Sequence, residues 1–255
     1  MKKIFLLILT IFIIGDISAQ EKEVKEYIDG EVSKISILKN DTLQVKEYMF
    51  ASNSNISSLK FFYNETKVGK WTHYNSNGKI RLTGNYHDGD KTGTWKKYYK
   101  SGTLKSISHY NNGTMKGTWK YFDENGELTK AQEMRDGQRF GEGLLNKADK
   151  RIGEWKYYHI KDHPLSTTKV LGFGNYKNGK LVGLFKTFYK NGNLETIGNF
   201  NNNSNETGEW KYYYENGQIE TEGNYIDGLE TGTWKSYDEK GVLIESIKFI
   251  KGKEQ

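Results

Sequence analysis

From Gly69 to the C-terminus, aromatic and polar residues alternate in short runs, and each run stops at a glycine. Thr94-Trp95-Lys96-Lys97-Tyr98-Tyr99 is representative. Side chains on a strand point alternately to opposite faces, so Trp95, Lys97 and Tyr99 share one face while Lys96 and Tyr98 share the other. Short runs rich in Trp, Tyr, Phe and Thr read as strands. Glycine turns every 11 to 13 residues leave no room for long helices.

The runs repeat. Gly69-Lys70-Trp71, Gly93-Thr94-Trp95, Gly117-Thr118-Trp119, Gly153-Glu154-Trp155, Gly183-Leu184-Phe185, Gly208-Glu209-Trp210 and Gly232-Thr233-Trp234 open seven units, with a period of 24 from Gly69 to Gly93, Gly93 to Gly117 and Gly208 to Gly232. Each unit holds two turns, as at Asn77-Gly78 and Asp88-Gly89, of residue types that accept positive φ cheaply. The pattern predicts an all-β fold, an elongated antiparallel β-meander of stacked hairpin repeats over 69–255. Residues 20–68 read as an N-terminal leader and a degenerate cap unit. Gln20 to Asp29 is charged and expected to fray, and Val32 to Leu38 with Leu43 and Val45 suggest a strand pair turning at Asn40-Asp41. A shift of 24 places sets Phe62 under Tyr86 and Glu47 where Trp71 would stand. Two units are longer, and their surplus is expected in loops at 138–152 and 159–168.

The tryptophans read as a core column, for which deletion of an interior ring such as Trp119 is expected to cost about 3–5 kcal/mol. Three residues on, a second ring column runs through Tyr74, Tyr98, Phe122, Tyr158, Phe188, Tyr213 and Tyr237. The two columns cannot lie on one side of a regular strand. Either the sheet coils and buries one of them, or a bulge sits at the repeated glycine.

The unit Gly-x-Trp-Lys-x-Tyr-x-x-x-Gly-x-Leu, followed by Gly-Asn-Tyr and x-Asp/Asn-Gly as in Gly84-Asn85-Tyr86 with Asp88-Gly89, resembles the MORN-repeat variant found in YwqK-type proteins. The resemblance covers Gly69 to Gly252. It implies the meander and a role in protein contacts. YwqK-type proteins often carry the label of an antitoxin component, which gives one alternative for this chain.

Composition sharpens the picture. Lys and Arg number 38 against 32 Asp and Glu, a net +6, with no long block of one sign. That mild excess argues against nucleic acid. Cysteine is absent, so no disulfide staples the fold. Lys2-Lys3, the apolar run Ile4 to Ile14, and Asp16-Ile17-Ser18-Ala19 have the three regions of a signal peptide over 1–19. The mature chain is thus expected to be periplasmic, cell-surface or secreted.

A lysine follows the ring as Lys96, Lys120, Lys156, Lys186, Lys211 and Lys235. With nearby rings it defines the candidate binding residues: Lys96, Tyr98, Lys120, Tyr121, Lys156, Tyr157, Lys211, Tyr212 and Lys235. The partner expected first is a protein; an envelope glycan, on which tyrosines would stack, or an anionic membrane surface comes next. Gly172-Phe173-Gly174 lacks the third glycine and following helix of a dinucleotide loop, and no P-loop, zinc-protease motif or serine nucleophile elbow occurs. No cofactor, metal or catalytic residue is implied, and a non-enzymatic role is expected.

Overall fold

The computed structural model describes residues 21–28, 31–39, 42–48, 56–159 and 170–255. The leader expected at 1–19, the turn at Asn40-Asp41 and nearly all of the loop expected at 159–168 lie outside them. Every regular element among the described residues is a strand, twenty in all. The chain divides after Thr129 into two compact units.

In the first unit, β1 (Glu21–Ile28), β2 (Glu31–Lys39), β3 (Thr42–Tyr48), β4 (Ile56–Tyr63), β5 (Thr66–Tyr74), β6 (Ile80–His87), β7 (Asp90–Tyr98), β8 (Leu104–Asn111) and β9 (Thr114–Phe122) each pair antiparallel with the next. This is the meander expected from the repeats. One part differs: Glu21–Ile28, expected to fray, is a strand laid along β2.

The second unit opens with β10 (Leu128–Arg135) and continues through β11 (Gln138–Leu145), β12 (Arg151–Tyr158), β13 (Val170–Lys177), β14 (Lys180–Phe188), β15 (Leu194–Phe200), β16 (Glu206–Tyr213), β17 (Ile219–Ile226), β18 (Leu229–Tyr237), β19 (Leu243–Ile250) and the short β20 (Lys253–Glu254). These also pair in chain order. The loop expected at 138–152 is therefore corrected: 138–145 is strand β11 and 151 already belongs to β12. The physical reason lies at both ends of the segment. Asp136 at φ 46° and Gly137 at φ 78° close a tight hairpin, and the backbone N–H groups of Ala148 and Lys150 donate to the Asn146 side chain to close the next turn.

Of the two ways to place the ring columns, the bulge is the one found. Gly69, Gly93, Gly117, Gly153, Gly183, Gly208 and Gly232 all have φ between 63° and 70°. At Gly93 the register passes from Asn85↔Thr92 to Thr83↔Lys96, so Gly84 alone faces Gly93, Thr94 and Trp95. The left-handed glycine throws the chain out and back, and carries the indole over the neighbouring strand.

Candidate functional site

Each bulge delivers its tryptophan onto a fixed seat. A Cβ built on Gly84 would stand 2.1 Å from the Trp95 ring, and Gly198 and Gly223 meet Trp210 and Trp234 at the same distance. Gly143 meets Trp155 at 2.6 Å. The Gly of Gly-Asn-Tyr is thus the floor of an indole pocket. The indole N–H then donates to the carbonyl of the residue after the floor: Trp95 to Asn85 at 3.2 Å, Trp155 to Leu144 at 3.0 Å, Trp234 to Asn224 at 3.2 Å. Trp71, Trp95, Trp155, Trp210 and Trp234 are buried.

Trp119 departs from this pattern. Its floor residue is Ser108 in place of glycine, and Trp119 is only half-buried. Deleting its ring therefore costs less than the 3–5 kcal/mol that suits a fully buried one.

Rings from the intervening strands complete the tryptophan face. Phe62, Trp71, Tyr86 and Trp95 follow one another at centroid spacings of 5.0, 4.9 and 5.0 Å. In the second unit Phe200, Trp210, Tyr225 and Trp234 do so at 5.2, 5.9 and 4.9 Å. These are edge-to-face or tilted pairs, as the ring quadrupole prefers.

Above the rings stands the residue two places before the bulge glycine. In the first unit this is Lys67, 5.5 Å from Trp71 and 5.2 Å from Tyr86, and Lys91, 4.7 Å from Trp95 and 5.1 Å from Tyr110. Both are cation–π contacts. In the second unit the same position holds Arg151, Leu181, Glu206 and Glu230.

Arg151 is the most elaborately held of these. Its guanidinium lies 4.6 Å from the Trp155 ring, and Nη1 donates to the hydroxyls of Tyr157 at 3.2 Å and Tyr176 at 3.3 Å. Tyr157 donates in turn to Tyr176 at 2.5 Å, and Nη2 of Arg151 donates to Glu133. Burial works against the charge on Arg151, but the Tyr157, Glu133 and Tyr176 oxygens outweigh it and raise its pKa. Burial, then the bond to Tyr176, pushes the Tyr157 hydroxyl up.

A second cluster stands on the same strands. Glu142 accepts from Tyr158, from Gln132 at 2.9 Å and from Arg139 at 3.0 Å. Burial would raise the Glu142 pKa, but these donors and the Arg139 and Lys130 charges bring it below its ordinary value. Tyr158 is pushed up to about 12, by burial first and then by Glu142.

The nine candidate residues divide between faces. Tyr121, Tyr157 and Tyr212 stand two residues after a tryptophan and share its face, Tyr212 stacking on Trp210 at 6.1 Å. Lys96 and Tyr98 lie on the opposite face of the first unit with Lys120, as do Lys156, Lys211 and Lys235 in the second. Lys211 is tied to Glu209 at 3.2 Å and Glu222 at 3.4 Å, which raise its pKa. Lys156 stands over Phe173 at 5.4 Å. The sequence reading missed Arg151, Glu133, Glu206 and Glu230. Reading the position two before each bulge glycine down the units, from Lys67 and Lys91 to Glu206 and Glu230, would have exposed the change of charge.

A family model described as the MORN repeat variant matches residues 67–88, 91–112, 115–136, 181–202, 206–227 and 230–251, 22 residues each and together just over half of the chain. The chain belongs to this family. Each MORN repeat begins at the residue over the rings, Lys67, Lys91, Met115, Leu181, Glu206 or Glu230, and ends in the second turn. The unit opened by Gly153 is unmatched, yet Trp155 sits on Gly143 as the others sit on theirs. MORN repeats mark a repeat protein for protein or membrane interaction. No curated protein matches the chain.

Proposed function

We propose that this chain is an exported, non-enzymatic interaction module of the cell envelope that binds a protein partner, with the tryptophan face of its second unit as the contact. The carrying observation is the mixture of charge. Carboxylates and cations stand together on both faces of that unit: Glu209 and Glu222 beside Lys211 and Glu142 beside Arg139 on the lysine face, and Glu133 on Arg151 with Glu206 and Glu230 beside the tyrosines on the tryptophan face. A polyanionic glycan or phospholipid surface would meet these carboxylates unfavourably, whereas a protein can oppose each charge with its complement. Aromatic rows held at strand spacing suit the same role, because rigid Tyr and Trp make strong anchors. The similarity to YwqK-type proteins fits an interaction role, with the antitoxin-like component as its special case; the signal-peptide pattern at 1–19 favours the envelope.

Capture from native envelope extract by residues 20–255, run beside envelope polysaccharide and anionic vesicles, tests the reading. One stoichiometric protein is expected. Retention on polysaccharide or vesicles with no protein captured would overturn it.

A further inference from the structure

The second unit contains one arrangement twice, filled once from within. At Tyr157 and Tyr176 the paired hydroxyls receive the guanidinium of Arg151, the residue two before bulge glycine Gly153, with Glu133 taking its other end. Tyr212 and Tyr225 occupy the same two places in a later repeat: Tyr212 is two residues after Trp210, and Tyr225 lies directly across from bulge glycine Gly208, as Tyr176 lies across from Gly153. Both rings pack on Trp210, Tyr212 at a centroid distance of 6.1 Å and Tyr225 at 5.9 Å. Here the residue two before the glycine is Glu206 instead of arginine, and Glu230 stands across from Tyr225.

The tyrosine pair is therefore kept while the arginine position beside it is taken by carboxylate. Burial first, with the charges of both carboxylates adding to it, raises the pKa of the Tyr212 hydroxyl. Neither makes an ion pair with another described residue. A cation brought from outside would find Tyr212 and Tyr225, the counterparts of the tyrosines that hold Arg151, and two carboxylates in place of the one supplied by Glu133.

We propose that Tyr212, Tyr225, Glu206 and Glu230 form a receptor for the guanidinium of an arginine side chain on a protein partner. Arginine is favoured over lysine because a planar fork donates to two hydroxyls and a carboxylate at once, the geometry Arg151 displays, and a single ammonium does not match it. The proposal rests on the protein-interaction reading and names the chemistry of that contact.

Acetyl-Gly-Gly-Arg-Gly-Gly-amide titrated into the full chain, followed by the ring NMR signals of Tyr212 and Tyr225, is the test. Saturable shifts are expected, with affinity falling at least tenfold when citrulline replaces arginine and in the Glu206→Gln, Glu230→Gln double variant. Glu206→Arg, which fills the site from within as Arg151 does, abolishes them while the fold remains intact by circular dichroism. Equal binding of the arginine and citrulline peptides, equal binding by wild type and the double variant, or no saturable shift would overturn the site. A partner captured equally by wild type and Glu206→Arg would leave the interaction reading standing and remove this receptor.

Discussion

Gly84 has no side chain because Trp95 already fills the place of one, and that exchange sets the energetics of single residues throughout the array. Trp95, buried on its glycine, is expected to cost about 3–5 kcal/mol when changed to Ala, as a large core ring does. Trp119, only half-buried over Ser108, costs clearly less. Denaturant midpoints of the two variants check the order, and equal losses would show that the greater exposure of Trp119 does not lower its contribution. Titration supplies a second expectation. Tyr158 has an ordinary pKa near 10 when unfolded and is pushed up to about 12 in the fold, so the folded chain keeps its proton more tightly. Its contribution is whole below about pH 10 and is lost as pH rises from about 10 toward 12. Tyr157 and Tyr212, also raised, act in the same direction. Urea midpoints taken from pH 9 to 12 are expected to fall, less steeply in Tyr158→Phe; a flat profile would contradict the burial of these hydroxyls.

The elements show what could be read from the chain and what could not. Strand positions and the second turns were legible because Asp88-Gly89 and its counterparts announce positive φ, and Asp88 at 47° followed by Gly89 at 85° takes it. The bulge was legible only as one of two options. Gly93 looks in sequence like ordinary punctuation, while its role depends on Gly84 lying opposite, a relation between strands that no local pattern carries. Strand β11 lies where a loop is expected from the surplus length of its unit, and Gly143 is there as the floor for Trp155. The candidate site was half visible: Tyr157 and Tyr212 stood out as rings, but Arg151 and Glu133 are 18 residues apart and meet only through pairing of β10, β11 and β12. If the bulge needs its left-handed glycine, Gly93→Ala at φ 63° costs about 1–2 kcal/mol. A denaturation midpoint matching wild type would mean the bulge relaxes without loss.

Across the whole molecule, the repeats keep the scaffold constant and vary what stands on it. Indole seats recur in both units, whereas the position above the rings changes from Lys67 and Lys91 in one to Glu206 and Glu230 in the other. The first unit lays its own cations on its rings; the second, beyond Arg151, presents carboxylates and tyrosine hydroxyls. Repeat arrays build extended binding surfaces in this way, one substitution per unit on an invariant frame. The central claim is that a protein partner meets the tryptophan face of the second unit, and a photo-crosslinking residue placed on either face reads it directly. Ser236 lies in the row of Tyr212 through Thr221, and Lys235 next to it points the other way. In native envelope extract, one protein is expected to crosslink from position 236 and not from 235; a crosslink from 235 alone, or none from either, would contradict the account.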